Sequence, residues 1–80
     1  MEKRIGAAII IVEDNSKVES INRILSDHSE MILGRQGIPL REKELNIISI
    51  VLEGSTDDLG SLSGKLGRIP GVRIKSVLAG

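Results

Sequence analysis

Two stretches of this chain are apolar toward both sides at once. Ile9-Ile10-Ile11-Val12 is an unbroken run of branched aliphatics, and Ile47-Ile48-Ser49-Ile50-Val51-Leu52 is nearly one. Branched side chains favour extended backbone, and successive residues of a strand point to opposite faces. A strand with oil on both sides belongs at the centre of a sheet, with something covering each face. The rest of the chain must supply those covers, or leave one to be supplied from outside.

With 80 residues, the chain has room for one domain, read as residues 1–80. A domain this small buries only about 60% of its unfolded surface. Ile, Leu and Val fill 27 positions, and no Phe, Tyr, Trp or Cys occurs. So many aliphatics exclude a disordered chain. Eleven basic and eleven acidic side chains cancel, which argues against a nucleic-acid binder driven by charge. Without aromatics there is no base-stacking platform. Without cysteine there is no disulfide framework, thiolate nucleophile or iron–sulfur cradle. No apolar run reaches the roughly 18–20 residues of a membrane span, and the first one ends at Val12 without a cleavage-type site. The expected location is the cytoplasm, with no membrane partner.

The periodicity predicts six elements. A strand over Lys3–Glu13 is followed by a helix whose apolar face is Val18, Ile21, Ile24, Leu25 and His28. Ser16 and Glu19 have the spacing of a capping box at its start. A second strand, around Met31–Ile38, contains Gly34 and Gly37, and a turn over Pro39–Glu44 leads to a third strand, Leu45–Glu53. Ser55 or Thr56 can cap a second helix with Asp57 and Asp58 in its first turn and Leu59, Leu62, Leu66 and Ile69 as its buried stripe. Pro70-Gly71 stops it, and Val72–Leu78 forms the last strand. The order β-α-β-β-α-β is that of an α+β, ferredoxin-like sandwich: a four-stranded antiparallel sheet with both helices on one face.

In that arrangement the first and third strands are central and the sheet's other face is open. Ile9 and Ile11 point one way and Ile10 and Val12 the other; Leu45, Ile47 and Val51 oppose Ile48, Ile50 and Leu52. Ile10, Val12, Ile47 and Val51 are assigned to the open face. An apolar patch there, with charges at its margins, marks an interaction surface. A homodimer or tetramer is expected.

The candidate chemistry is sparse. His28 is the single imidazole, at a helix end where it can act as a cap. A transition-metal site needs three or four ligands, so none is expected within one chain. Gly60, Gly64 and Gly67 recur along the second helix and resemble a phosphate loop, but Leu59 stands where that motif needs glycine and Leu66 where it needs Ser or Thr. The glycines form either a stripe for close approach of a ligand or backbone, or a loosely wound helix. Glu13-Asp14-Asn15-Ser16 is an open loop leading into a helix N-terminus. It and the glycine stripe are the candidate effector-binding residues. No catalytic nucleophile–base pair and no cofactor site can be named, and no enzyme is expected.

Gly34-Arg35-Gln36-Gly37-Ile38-Pro39 and Leu62-Ser63-Gly64-Lys65-Leu66-Gly67-Arg68-Ile69-Pro70-Gly71-Val72-Arg73-Ile74-Lys75 resemble the iron-only hydrogenase system regulators of anaerobic bacteria. The resemblance spans nearly the whole chain. It implies an ACT-like fold similar to the C-terminal domain of nickel-responsive regulators, pairing through sheets, and small effectors bound at shared interfaces. The histidines and cysteine of a nickel site are missing here, as is the DNA-binding ribbon. Asp14-Asn15-Ser16 stands where amino-acid-binding ACT domains carry a Pro-Gly turn. Two roles follow: an effector-binding regulatory module, or a ligand-free adaptor docking a hydrogenase-related or transcription protein.

Overall fold

The computed structural model describes residues 2–79. Six elements follow one another: β1 (Arg4–Val12), α1 (Val18–Asp27), β2 (Ile32–Leu40), β3 (Leu45–Gly54), α2 (Thr56–Gly67) and β4 (Val72–Leu78). The strands form one antiparallel sheet in the order β2-β3-β1-β4. The two doubly apolar strands are central, as their patterning requires. Both helices lie on one face. This is the α+β, ferredoxin-like, ACT-like sandwich.

The core forms where the helices meet the sheet. Ala8, Ile10 and Val12 of β1 and Ile48, Ile50 and Leu52 of β3 project under Ile21 and Leu25 of α1 and Leu62 and Leu66 of α2. Cross-strand partners such as Ile10 and Ile48 share that face. Gly6 is buried where β1 passes β4: a Cβ there would sit 2.6 Å from the Val77 carbonyl oxygen and 2.7 Å from Leu78. Bringing β4 that close requires glycine.

Local details differ from the sequence expectations at the first helix. No capping box joins Ser16 to Glu19. A single 3-10 turn, Asn15–Lys17, is inserted between β1 and α1, and the N-cap of α1 is Lys17, which makes no side-chain cap. Asp14 closes the turn instead, accepting from the Ser16 N–H. At α2 the expected cap is present in full, with Ser55 and Asp58 reciprocally bonded. β2 begins one residue later than expected and runs on through Pro39 to Leu40, so the turn is confined to Arg41–Lys43, with Glu44 left-handed at φ 54°. Among the described residues no helix is long and apolar enough to cross a membrane.

Candidate functional site

The face of the sheet away from the helices is uncovered. Register puts Ile5, Ala7, Ile9 and Ile11 of β1 beside Glu53, Val51, Ser49 and Ile47 of β3. Ile38 of β2 flanks Ile47, and Val77 of β4 flanks Ala7. Ile5, Ile9, Ile38, Val51 and Val77 are exposed, Ile9 by 50% and Val77 by 66%. Arg73 and Lys75 lie at the β4 margin beside Ile11 and Ile9. Four strands about 4.8 Å apart, over roughly 25 Å of strand, make a face of about 500 Å². Glu53, Ser49, Arg73 and Lys75 share the face, so its apolar part is smaller than that, within the range of about 300–600 Å² in which a patch is often functional.

Two of the four residues assigned to this face are not on it. Ile10 and Val12 are 0% exposed and pack beneath the helices. Ile9 and Ile11 take their place, while Ile47 and Val51 are on the open side. A charge of each parity bounds the apolar run of β1, Arg4 at its start and Glu13 just past its end, so its own pattern does not say which side faces water. The signal lies in its neighbour β4, whose Arg73 and Lys75 cannot sit under a helix and pair with Ile11 and Ile9.

At one end of the same sheet, the β1–α1 loop and the β2–β3 turn flank an open cleft of about 540 Å³. Glu13, Asp14 and Asn15 form one wall; Pro39, Leu40, Arg41, Glu44, Leu45 and Asn46 form the other. The loop is held from three directions. Glu13 donates its N–H to the Gly71 carbonyl at 2.8 Å and pairs with Arg73 at 2.8 Å. Asp14 accepts from the N–H and hydroxyl of Ser16 at 3.0 and 2.7 Å. Those two bonds, the hydroxyl's first, lower the pKa of its carboxyl below 3.8. Asn15 accepts from the side-chain amide of Asn46 on β3, tying the two walls together. Register explains that pair, because Asn46 is opposite Val12 at the mouth of the loop. Leu40 and Leu45, also paired, join the cleft to the open sheet face.

Of the expected effector residues, Glu13, Asp14 and Asn15 line this cleft, and Ser16 supports it through Asp14. Gly60, Gly64 and Gly67 do not line it. They lie on the exposed side of α2, and a Cβ added at any of them meets no atom within 4 Å. The hairpin residues from Pro39 to Asn46 were missed, since sequence alone does not place them opposite a loop some 30 positions earlier.

His28 is the C-cap of α1, its Nδ1 2.9 Å from the Ile24 carbonyl oxygen. Among the described residues no group of three or more His, Cys, Asp or Glu side chains is placed to hold a metal ion.

Residues 4–76 match the TM1266-like family, whose description is "Iron-only hydrogenase system regulator, putative". Among solved structures, the uncharacterized protein TM1266 from Thermotoga maritima is 46% identical, with a TM-score of 0.93, 99% of this chain and 100% of that chain covered. The C-terminal domain of MgtC from Mycobacterium tuberculosis superposes at TM-score 0.75 with 12% identity, over 95% of this chain and 87% of that chain. CPII from Thiomonas intermedia K12, a nitrogen regulatory PII-like protein bound to ADP, AMP and bicarbonate, superposes at 0.54 with 12% identity over the whole of both chains. The last two share the fold. No curated protein matches the chain.

Proposed function

Because this chain belongs to the TM1266-like family of iron-only hydrogenase system regulators, we propose that it is a small sensing module that self-associates through its open sheet face and binds a small effector beside the interface. The observation that carries this reading is the uncovered apolar face of β1 and β3, with Ile9 and Val51 about half exposed at its centre. Burying such side chains is worth roughly 25 cal/mol per Å², and a second copy offers the same surface. The cleft between the β1–α1 loop and the hairpin opens beside that face through Leu40 and Leu45. A second chain on the face would roof it. Its lining combines Pro39, Leu40 and Leu45 with two carboxamides, carboxylates and the Arg41 guanidinium, a set suited to a small polar molecule carrying both donors and acceptors.

The reading is regulatory rather than enzymatic. The imidazole is spent on its own helix end, and the carboxylates of the loop are engaged by Ser16 and Arg73. The same saturation favours a second reading, an adaptor that docks a protein and takes no ligand.

Two measurements test the proposal. Light scattering at micromolar concentration should give a mass above one chain; a monomer overturns self-association. Thermal unfolding followed by circular dichroism, with amino acids, nucleotides and divalent metals added in turn, should show stabilisation by one class. No stabilisation by any of them leaves the adaptor reading standing and overturns the effector.

A further inference from the structure

The strand β4 lies at one edge of the sheet and pairs with β1 in unbroken register, with neither bulge nor proline. Two bonds just past its ends fix which way its backbone points. Glu13 donates to the Gly71 carbonyl at 2.8 Å, and Ala79 donates to the Ile5 carbonyl at 2.7 Å. Bonded residues alternate along an antiparallel ladder, so Arg73, Lys75 and Val77 are the ones bonded to β1. The N–H groups of Val72, Ile74, Ser76 and Leu78 point outward. The Ile69 carbonyl takes that of Val72 at 3.1 Å. The other three have no backbone partner among the described residues. An edge strand with free backbone groups is a template for pairing.

The helix above this edge leaves room beside it. α2 packs on β4 through Leu62 and Leu66. Asp58, on one flank of that stripe, shares a small cavity with His28 at the end of α1. At about 100° per residue, Gly60 and Gly67 are turned roughly 180–200° from Asp58. They therefore stand on the flank away from α1, over the β4 margin, with Gly64 beside them. Within this chain a Cβ at any of the three would meet nothing within 4 Å, and glycine weakens a helix interior. Ser63 lies between these glycines and the leucines, its hydroxyl oxygen buried without a hydrogen-bond partner among the described residues. Below, Ser76 is exposed although its parity, shared with Ile74 and Leu78, faces the helices.

The other side of the same strand is cationic. Arg73 meets Glu13 in an exposed pair, and Lys75 has no carboxylate partner among the described residues. These cations close the edge to a second β4. A two-fold axis at Lys75 would set lysine against lysine, and one at Ile74 would set Arg73 against Lys75 twice. Like charges directly opposite each other destabilise a strand pair, and opposite charges stabilise it. The edge thus rejects its own copy and selects an acidic strand.

We propose that β4 docks an extended acidic segment of another protein, added antiparallel as a fifth strand. Its residues opposite Ile74 and Ser76 are aliphatic and pass under the glycine flank of α2, where larger side chains on the helix would block them. Its residues opposite Arg73 and Lys75 are carboxylates. The partner's mark is two acidic residues two positions apart, alternating with aliphatic ones. This gives the adaptor reading a surface and a partner chemistry, and it is independent of the effector cleft and of the open face.

The test titrates the isotope-labelled full chain with two end-blocked peptides, Thr-Val-Val-Glu-Val-Glu-Thr and the same sequence with lysine for both glutamates. Amide shifts and hydrogen exchange are read together. The acidic peptide should bind at millimolar concentration or below, more than about tenfold tighter than the basic one. It should slow the Ile74, Ser76 and Leu78 amides, which exchange fast without it. Lys75→Glu changes an exposed side chain and should weaken the acidic peptide at least about tenfold with the fold intact. Gly60→Leu should raise the unfolding midpoint, as a better helix former in open space, and yet weaken the peptide. No binding of the acidic peptide at millimolar concentration overturns the proposal. Equal affinity for the two peptides overturns the acidic class. Binding that leaves the three amides fast overturns edge pairing, and amides already slow in the free protein assign the edge to another occupant and overturn it too. Unchanged affinity in Gly60→Leu overturns the passage under α2.

Discussion

Ser55 and Asp58 hold each other's backbone at the start of α2. The Ser55 N–H donates to the Asp58 carboxylate at 3.0 Å, and the Asp58 N–H donates to the Ser55 hydroxyl at 3.1 Å. These bonds satisfy amide groups that a helix start otherwise leaves without partners. Ser55 is buried against the core, so water is poorly placed to replace it. Ser55→Ala should destabilise the domain by about 1 kcal/mol. Urea unfolding followed by far-ultraviolet circular dichroism measures it, since the chain has no Trp or Tyr to fluoresce.

The same pair makes the acid stability of the domain predictable. The Ser55 backbone bond, then its side-chain bond, lowers the pKa of Asp58 below 3.8, and Ser16 does likewise for Asp14. A carboxyl with a lowered folded-state pKa stabilises fully above its unfolded value, and that contribution is lost as pH falls through the folded one. Stability should be level above about pH 5 with respect to these two groups and fall progressively below about pH 4. Asp58→Asn should flatten part of that fall. An unchanged acid limb in the variant would show that the cap does not couple to pH.

Two glycines should respond in opposite ways to alanine. Gly71 holds φ +80°, and a Cβ there would stand 3.2 Å from the Cβ of Asp14. Gly71→Ala should cost about 1–2 kcal/mol from the left-handed backbone alone, and should loosen the Glu13 loop that bonds to its carbonyl. Gly64 lies within α2 with open space around it. Gly64→Ala should stabilise by about 0.5–1 kcal/mol. Midpoints of chemical unfolding decide both signs.

Substitutions on β1 should separate by parity. Ile9→Lys places its charge on the open face and should leave the fold intact while reducing the mass in solution. Ile10→Lys puts an unpaired cation at a fully buried position and should abolish folding. Circular dichroism and light scattering on the two variants check the assignment of faces, and equal behaviour of the pair would contradict it.

Element order and most boundaries were legible because the apolar periodicity is strong. Ile47 to Leu52 reads as a central strand, and Val72-Arg73-Ile74-Lys75 alternates after a Pro-Gly stop. The side of β1 that meets the helices was not legible, since both parities are aliphatic and only pairing with Arg73 and Lys75 resolves them. The cleft was half legible. Its loop, Glu13 to Ser16, stands out as polar punctuation before a helix, but the hairpin wall from Pro39 to Asn46 arrives through register. The spacing of the glycines of α2 left a close contact and a loosely wound helix both open, and within this chain a Cβ at any of them would meet no atom within 4 Å.

The sheet order also decides when this molecule can become itself during synthesis. β1 is made first, yet its two neighbours, β3 and β4, lie far downstream: Gly6 pairs with Leu52 on one side and Leu78 on the other. No early hairpin can shelter the aliphatic run from Ile9 to Val12. It gains its first sheet neighbour only when Gly54 has been made and its second only at Leu78, and distant pairings of this kind close slowly. Late completion of the sheet around that run is the biosynthetic consequence of placing the first strand in the middle.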